Sequence, residues 1–212
     1  VDLPANAGES IALTIDYHGK PRDGLILTND KDGHPAAVGD NWPNRVHHWI
    51  PTFDHPSAKA TVTFNITAPA GQEVVANGKL DHVETTANGQ RIWTYTEGAP
   101  IPPYCMIIAV GQFARVEPTL RALTPLSYYV PLSEREVAVK GFSPAASAVE
   151  FFTQKVAAYP YEKLALIVGA TRFGGMENSS AIVFTSNLFS RSARAGMSRT
   201  YGVPAGNVNV IA

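Results

Sequence analysis

Cysteine is nearly absent from this chain. Cys105 is the only one in 212 residues, so no intrachain disulfide can form and the redox compartment is left open. Within its apolar run that thiol reads as a small buried hydrophobe. No apolar run approaches the roughly 20 residues needed to span a bilayer. The longest, Tyr104 to Val110, has the length of a strand. Neither sign of charge dominates: 17 Lys+Arg face 18 Asp+Glu, a formal net charge of −1. Nothing in that balance points to nucleic acid or an anionic membrane as a partner. Also missing are an H-x-x-x-H pair, a G-x-S-x-G elbow and a G-x-G-x-x-G loop. The chain opens on Val1-Asp2-Leu3-Pro4 without the regions of a signal peptide, and reads as the interior of a longer protein. Its compartment, cytoplasmic or exported, is undetermined.

What is present is ordinary globular composition, 45% hydrophobic and 17% charged, enough for a packed core. The charge is unevenly placed. Residues 1–162 hold 17 acids and 12 Lys/Arg, whereas residues 163–212 hold one acid and 5 Lys/Arg. That single late acid is Glu177.

The first half predicts β structure. Ile11, Leu13 and Ile15 alternate with Ala12, Thr14 and Asp16, and Val62, Phe64 and Ile66 alternate with threonines and Asn65. Asn77-Gly78 and Asn88-Gly89 supply the positive φ angles of tight hairpin turns. Alternation resumes over 91–96, and the wholly apolar Tyr104–Val110 predicts a central strand. Together these give an antiparallel sandwich or saddle-like sheet. After about residue 125 the character changes. Ser143-Pro144 predicts a helix start, Val149, Phe152 and Val156 mark one helical face, and Tyr159-Pro160 ends it. Leu164–Val168 and Ala181–Phe184 predict buried strands around a Gly-rich turn, the opening of a mixed α/β region. Residues 186–206 predict an exposed loop, and 208–212 an apolar rise into a further element. The class is α+β, divided at about residue 125.

Chemistry concentrates at Phe173-Gly174-Gly175-Met176-Glu177-Asn178. Two glycines let a backbone lie flat and bring its N–H and C=O groups close to a ligand. A carboxylate beside such an edge suits an extended peptide, held as an added strand with its N-terminal ammonium on the acid. The same residues also read as a Gly-rich turn with a solvated Glu. His47, His48 and His55 lie close together, but adjacent histidines on a strand face opposite sides and no zinc spacing exists, so they read as packing or surface groups. Asp54 reads as a turn or cap acceptor. Asp40 is readable as surface or functional.

Gly174-Gly175-Met176-Glu177-Asn178 resembles the G-[AG]-M-E-N signature of zinc aminopeptidases similar to aminopeptidase N and leukotriene hydrolase. Three further stretches agree in order. His48 to Thr61 resembles the family's R-x-x-P-x-x-D-x-P-x-x-K-A-T/R segment. Ile101 to Phe113 resembles its P-x-Y-L…V-G-x-F strand. Phe151 to Leu166, with Tyr159-Pro160-Tyr161, resembles the helix and turn before the signature. The resemblance implies an antiparallel N-terminal β domain over about 1–125. It also implies the first α/β portion of a thermolysin-like catalytic domain over about 126–212, truncated before the zinc ligands. In that family the residue at Glu177 binds the substrate's α-amino group, the backbone at Gly174 and Gly175 pairs with the substrate, and Met176 and Asn178 help shape the first side-chain pocket. Zinc, with its H-E-x-x-H ligands, belongs to the parent protein and has no counterpart here.

The expected protein is therefore a piece of a zinc metallo-aminopeptidase acting on peptides with a free N-terminus, the piece itself inactive. The chain departs from the family in having His47-His48 for an arginine pair and Asp40 about where some members place a substrate-contacting Gln. A non-catalytic peptide-binding or scaffold module of the same fold is the alternative. The Gly175 variant alone suggests an epoxide hydrolase branch.

Overall fold

In the computed structural model, residues 6, 8–118 and 123–190 are described. They form three β-sheets and one layer of helices. The first sheet has the order β1 (Leu25–Asn29), β2 (Pro35–Gly39), β7 (Ile108–Gly111), β4 (Glu73–Ala76), all antiparallel. The second has the order β3 (Ala60–Ala68), β6 (Arg91–Ile101), β5 (Lys79–Thr85), also antiparallel. The third is mixed: β11 (Gly175–Met176), β12 (Ala181–Thr185), β10 (Leu164–Gly169), β9 (Leu126–Pro131), β8 (Phe113–Val116). Here β10 runs parallel to both β12 and β9, and the outer pairs are antiparallel.

Alternation of side chains decides the layering. In β4, Val74 and Ala76 pack toward Trp93 and Tyr95 of the second sheet, while Val75 packs toward Ile167 and Val183 of the third. In the third sheet, Tyr129, Ala165 and Ile167 join that same interior cluster. Tyr128, Leu164, Leu166 and Val168 face the other way, onto Ala138 of α1 (Arg135–Gly141), Phe142, and Ala145 and Ala146 of α2 (Ala145–Lys155). Strands β4 and β7 of the first sheet are thus covered on both faces, which is why Val74-Val75-Ala76 and Ile107 to Val110 are unbroken apolar runs rather than alternating ones.

Several expectations need correction. Residues 9–20 form no strand, and Ile11, Leu13 and Ile15 are exposed. Alternation makes a strand only where an edge is free to pair and a face is there to bury, and neither meets this segment among the described residues. Tyr104 and Cys105 lie in a 3-10 turn over Pro103–Cys105, ahead of β7. The prolines at 102 and 103 have no N–H to give a ladder, so the strand is shorter than the apolar run. Asn77-Gly78 is not a hairpin turn, because β4 and β5 lie in different sheets and the pair carries the chain between layers. Asn88-Gly89 does close the β5–β6 hairpin. α2 begins after Ser143-Pro144, as expected. Its buried face is Ala145, Ala146 and Val149, whereas Phe152 and Val156 are exposed. The short helix α1 has no counterpart among the sequence expectations. Leu188, inside the expected exposed loop, is buried in the helix-facing cluster. Residues 191–206 of that loop and residues 208–212 lie outside the described residues. His47 and His48 share a 3-10 turn with ring centroids 4.3 Å apart, instead of facing opposite sides of a strand. Asp54 accepts from the His47 backbone N–H at 3.2 Å, the expected cap-like role.

The two Asn-Gly pairs should therefore respond differently to Gly→Ala. At Gly89 (φ +82) an added Cβ meets nothing within 4 Å, and the cost is the conformational strain of about 1–2 kcal/mol. At Gly78 (φ +73) it would lie 1.9 Å from the Thr96 carbonyl oxygen, so backbone must move. Urea unfolding of both variants should show Gly78→Ala the more destabilised by at least about 2 kcal/mol.

Candidate functional site

The third sheet ends on β11, which pairs with β12 through Gly175↔Phe184 and Met176↔Val183. Its other edge carries no strand among the described residues. The chain reaches this edge through Thr171 to Gly174, leaves it at Glu177, and turns back at Ser180 into β12. Period-two alternation is visible across the turn: Gly175 and Glu177 are exposed, Met176 and Asn178 are buried. The Glu177 carboxylate makes no hydrogen bond or ion pair among the described residues. Its charge is felt nearby. The Tyr104 hydroxyl is held above its ordinary pKa mainly by the Cys105 thiol beside it, and the negative charge of Glu177 adds to this. Tyr104 in turn packs edge-on against the half-exposed Trp42, with ring centroids 5.4 Å apart. Beneath the surface, Asn178 Nδ2 reaches only the Met176 carbonyl at 3.4 Å, and Asn178 Oδ1 is buried without a partner.

The approach to β11 is gripped from the first sheet. Asp40, which is neither surface nor free, is fully buried at the end of β2. Its carboxylate accepts the Arg172 backbone N–H at 3.2 Å and the Thr171 hydroxyl at 3.4 Å. The Arg172 guanidinium bridges to Asp23 at 2.7 Å. A buried carboxylate is costly unless it is paired, and here its partners are the residues that lead into Phe173 and Gly174.

The exit from the turn is gripped too. Asn77 uses its whole side chain: Nδ2 donates to the Cys105 and Ser179 carbonyls, and Oδ1 accepts the Ile107 N–H at 2.6 Å. The Ser180 hydroxyl accepts the Gly78 N–H at 2.7 Å and donates to Glu97 at 2.9 Å. Lys163 Nζ donates to the Ala76 and Ser180 carbonyls, both at 2.8 Å. Burial pushes the Lys163 amine down to about 7, against the pull of Glu97 and Glu162. Burial likewise holds the Glu97 carboxyl above its ordinary range, with Ser180 opposing.

All five residues singled out in the sequence, Gly174 to Asn178, therefore occupy one exposed edge and its underside. Sequence reasoning missed Trp42, Tyr104, the half-buried Lys163, and the buried Glu97 and Ser180. One available signal was Lys163 itself, a charge at the mouth of the apolar run Leu164–Val168. Among the described residues, the one group with metal-ligating spacing is Asp30, Asp32 and His34 on the β1–β2 turn. It lies away from the 174–178 segment along the fold, and its carboxylates already accept from Asp32, His34 and Ser133. The residues around Glu177 offer no such group, so they do not fit a zinc site by themselves.

The site is thus the glycine-rich edge of a mixed sheet with an exposed carboxylate beside it, backed by an antiparallel β unit. Residues 1–105 match the Peptidase M1 N-terminal domain. Glutamyl aminopeptidase of Rattus norvegicus is 27% identical over 192 residues, covering 86% of this chain and 20% of that protein. Probable aminopeptidase 1 of Saccharolobus solfataricus is 25% identical over 197 residues, covering 90% of this chain and 25% of that protein. Among solved structures, native yeast LTA4 hydrolase shares the fold with a TM-score of 0.63 at 21% identity, covering 76% of this chain and 25% of that chain. By these likenesses the chain is similar to a piece of the M1 aminopeptidases, with residues 1–105 matching their N-terminal domain. It spans about a fifth to a quarter of the length of these relatives.

The Lys163 shift has a definite sign. Between pH 7 and the ordinary lysine value of about 10.4, the unfolded chain holds a proton that the folded chain has lost, so this group's contribution to stability rises with pH. The unfolding free energy of wild type minus that of Lys163→Met should increase from pH 7 to pH 9.5. A difference flat across that window would mean an amine that titrates normally.

Proposed function

We propose that this chain is the substrate-gripping part of a zinc metallo-aminopeptidase that removes N-terminal residues from peptides. The observation that carries the reading is the geometry of one turn: an unpaired glycine-rich edge with an exposed, unpartnered carboxylate immediately beyond it. An extended peptide would add to β11 as a further strand, its backbone bonding to Gly174 and Gly175. Its ammonium would meet Glu177 in a charge-assisted hydrogen bond. An ammonium can be reached by that carboxylate only at a chain end, which favours removal of one residue at a time. Met176 and Asn178 underlie the place where the first side chain would lie, with Trp42 and Tyr104 beside it. Zinc, if bound elsewhere in the protein, would polarise the scissile carbonyl and activate water. The described residues of this chain would bind and orient, not hydrolyse.

The division at about residue 125, with a thermolysin-like part beyond it, belongs to the same proposal. β8 lies before that division yet hydrogen-bonds to β9, so the third sheet draws on both sides of it. No helix among the described residues is long and apolar enough to cross a membrane.

In the full-length protein, Glu177→Ala should lower kcat/KM for aminoacyl-naphthylamides about 10- to 100-fold, the worth of a hydrogen bond to a charged group. Glu177→Gln should recover little, because the charge is lost. The 212-residue chain alone should hydrolyse no such substrate, with or without added zinc. Unchanged kcat/KM in Glu177→Ala would remove the ammonium-binding role, and peptide capture without turnover by the full-length protein would favour a non-catalytic binding module.

A further inference from the structure

We propose that Lys163 is a positioning residue for Glu177, acting through the two carbonyls it holds, Ala76 from the first sheet and Ser180 in the turn beyond the carboxylate. The inference rests on the reading of Glu177 as the ammonium partner and goes beyond it by naming what holds that carboxylate in place. Ser180 is the one non-glycine residue with positive φ (+58) among the described residues, and it is fully buried. An L-residue there is strained by about 1–2 kcal/mol and persists only where surrounding contacts over-determine it. Those contacts are explicit. The Ser180 carbonyl accepts from Lys163 Nζ at 2.8 Å and from the Ala165 N–H at 3.0 Å. Its hydroxyl links Gly78 to Glu97. Glu97 also accepts the Ala99 N–H at 3.2 Å. The reversal at Ser180 is what brings β12 back alongside β11, and Glu177 sits on the connection between them.

The amine donates to two carbonyls, each at 2.8 Å. Drawing a lysine amine inward to satisfy two buried carbonyls is expensive. It becomes worthwhile where two carbonyls from different layers must keep a fixed separation. One of those carbonyls belongs to the β4 strand end and the other to the turn bearing Glu177. Asn77 and Gly78 hold the same turn through the Ser179 carbonyl and the Ser180 hydroxyl; the amine adds the only described side-chain link from Ala76 to the Ser180 carbonyl, and without it the carboxylate would sample a wider range of positions at the edge of β11.

The test is a double-mutant cycle in the full-length protein, with kcat and KM measured on an aminoacyl-naphthylamide for wild type, Lys163→Met, Glu177→Ala and the double variant. Lys163→Met should raise KM about tenfold while kcat stays within about twofold, and the double variant should be no worse than Glu177→Ala, since a misplaced carboxylate cannot be lost twice. An unchanged KM in Lys163→Met, or losses that multiply, overturns the proposal. If Glu177→Ala alone leaves kcat/KM intact, the ammonium reading fails instead. Should Lys163→Met not accumulate as folded protein, Lys163→Gln takes its place: its shorter amide cannot hold both carbonyls. Its KM should rise at least about threefold, again without adding to Glu177→Ala, and a wild-type KM in that variant overturns the proposal.

Discussion

The architecture depends on strands β4 and β7 of the first sheet being dry on both faces. Once β4 and β7 are sealed between the second and third sheets, every polar group at their ends must find a partner inside the protein. The Ala76 carbonyl and the Asn77 side chain lie at the end of β4 and the Asp40 carboxylate at the end of β2; Asn77 and Asp40 bond to residues flanking the 174–178 segment, and Ala76 to Lys163, whose amine also holds the Ser180 carbonyl. Burial of one sheet is thereby converted into the placement of another sheet's edge. The polar network is a consequence of the layering, and the exposed turn inherits its shape from that network.

Most strands were legible because their period and composition are local properties. β3, β6, β10 and β12 lie where alternation or an unbroken apolar run puts them. The failures share a cause. At 9–20 the pattern was right for a strand, but a strand needs a neighbour, and neighbours are not written locally. At Asn77-Gly78 the turn chemistry was read correctly as positive φ, yet the same dihedral serves a hairpin and a passage between layers. At α2 the apolar spacing of Val149, Phe152 and Val156 was real, but the small residues Ala145 and Ala146 decide which face meets the sheet, because they let the helix approach closely.

The site was legible in its exposed half only. Glycines beside a solitary acid are visible in a string of letters, and so is a motif. The buried half depends on residues separated by as many as 102 positions, as with Gly78 and Ser180, and no spacing rule connects them. Asp40 shows the same limit: its partners at 171 and 172 appear only when β2 and the third sheet are packed. A lysine before an apolar run or a glutamate within β6 looks like an ordinary solvated charge until the layers close over it.

β11 is two residues long. A longer bare margin would be a template for any extended chain, including another copy of itself. Two residues offer too few rungs for that, so unselective strand pairing gains little here. On the proposed reading, so short a ledge would suit the tip of a chain, where a terminal charge supplies the holding power that the missing rungs do not.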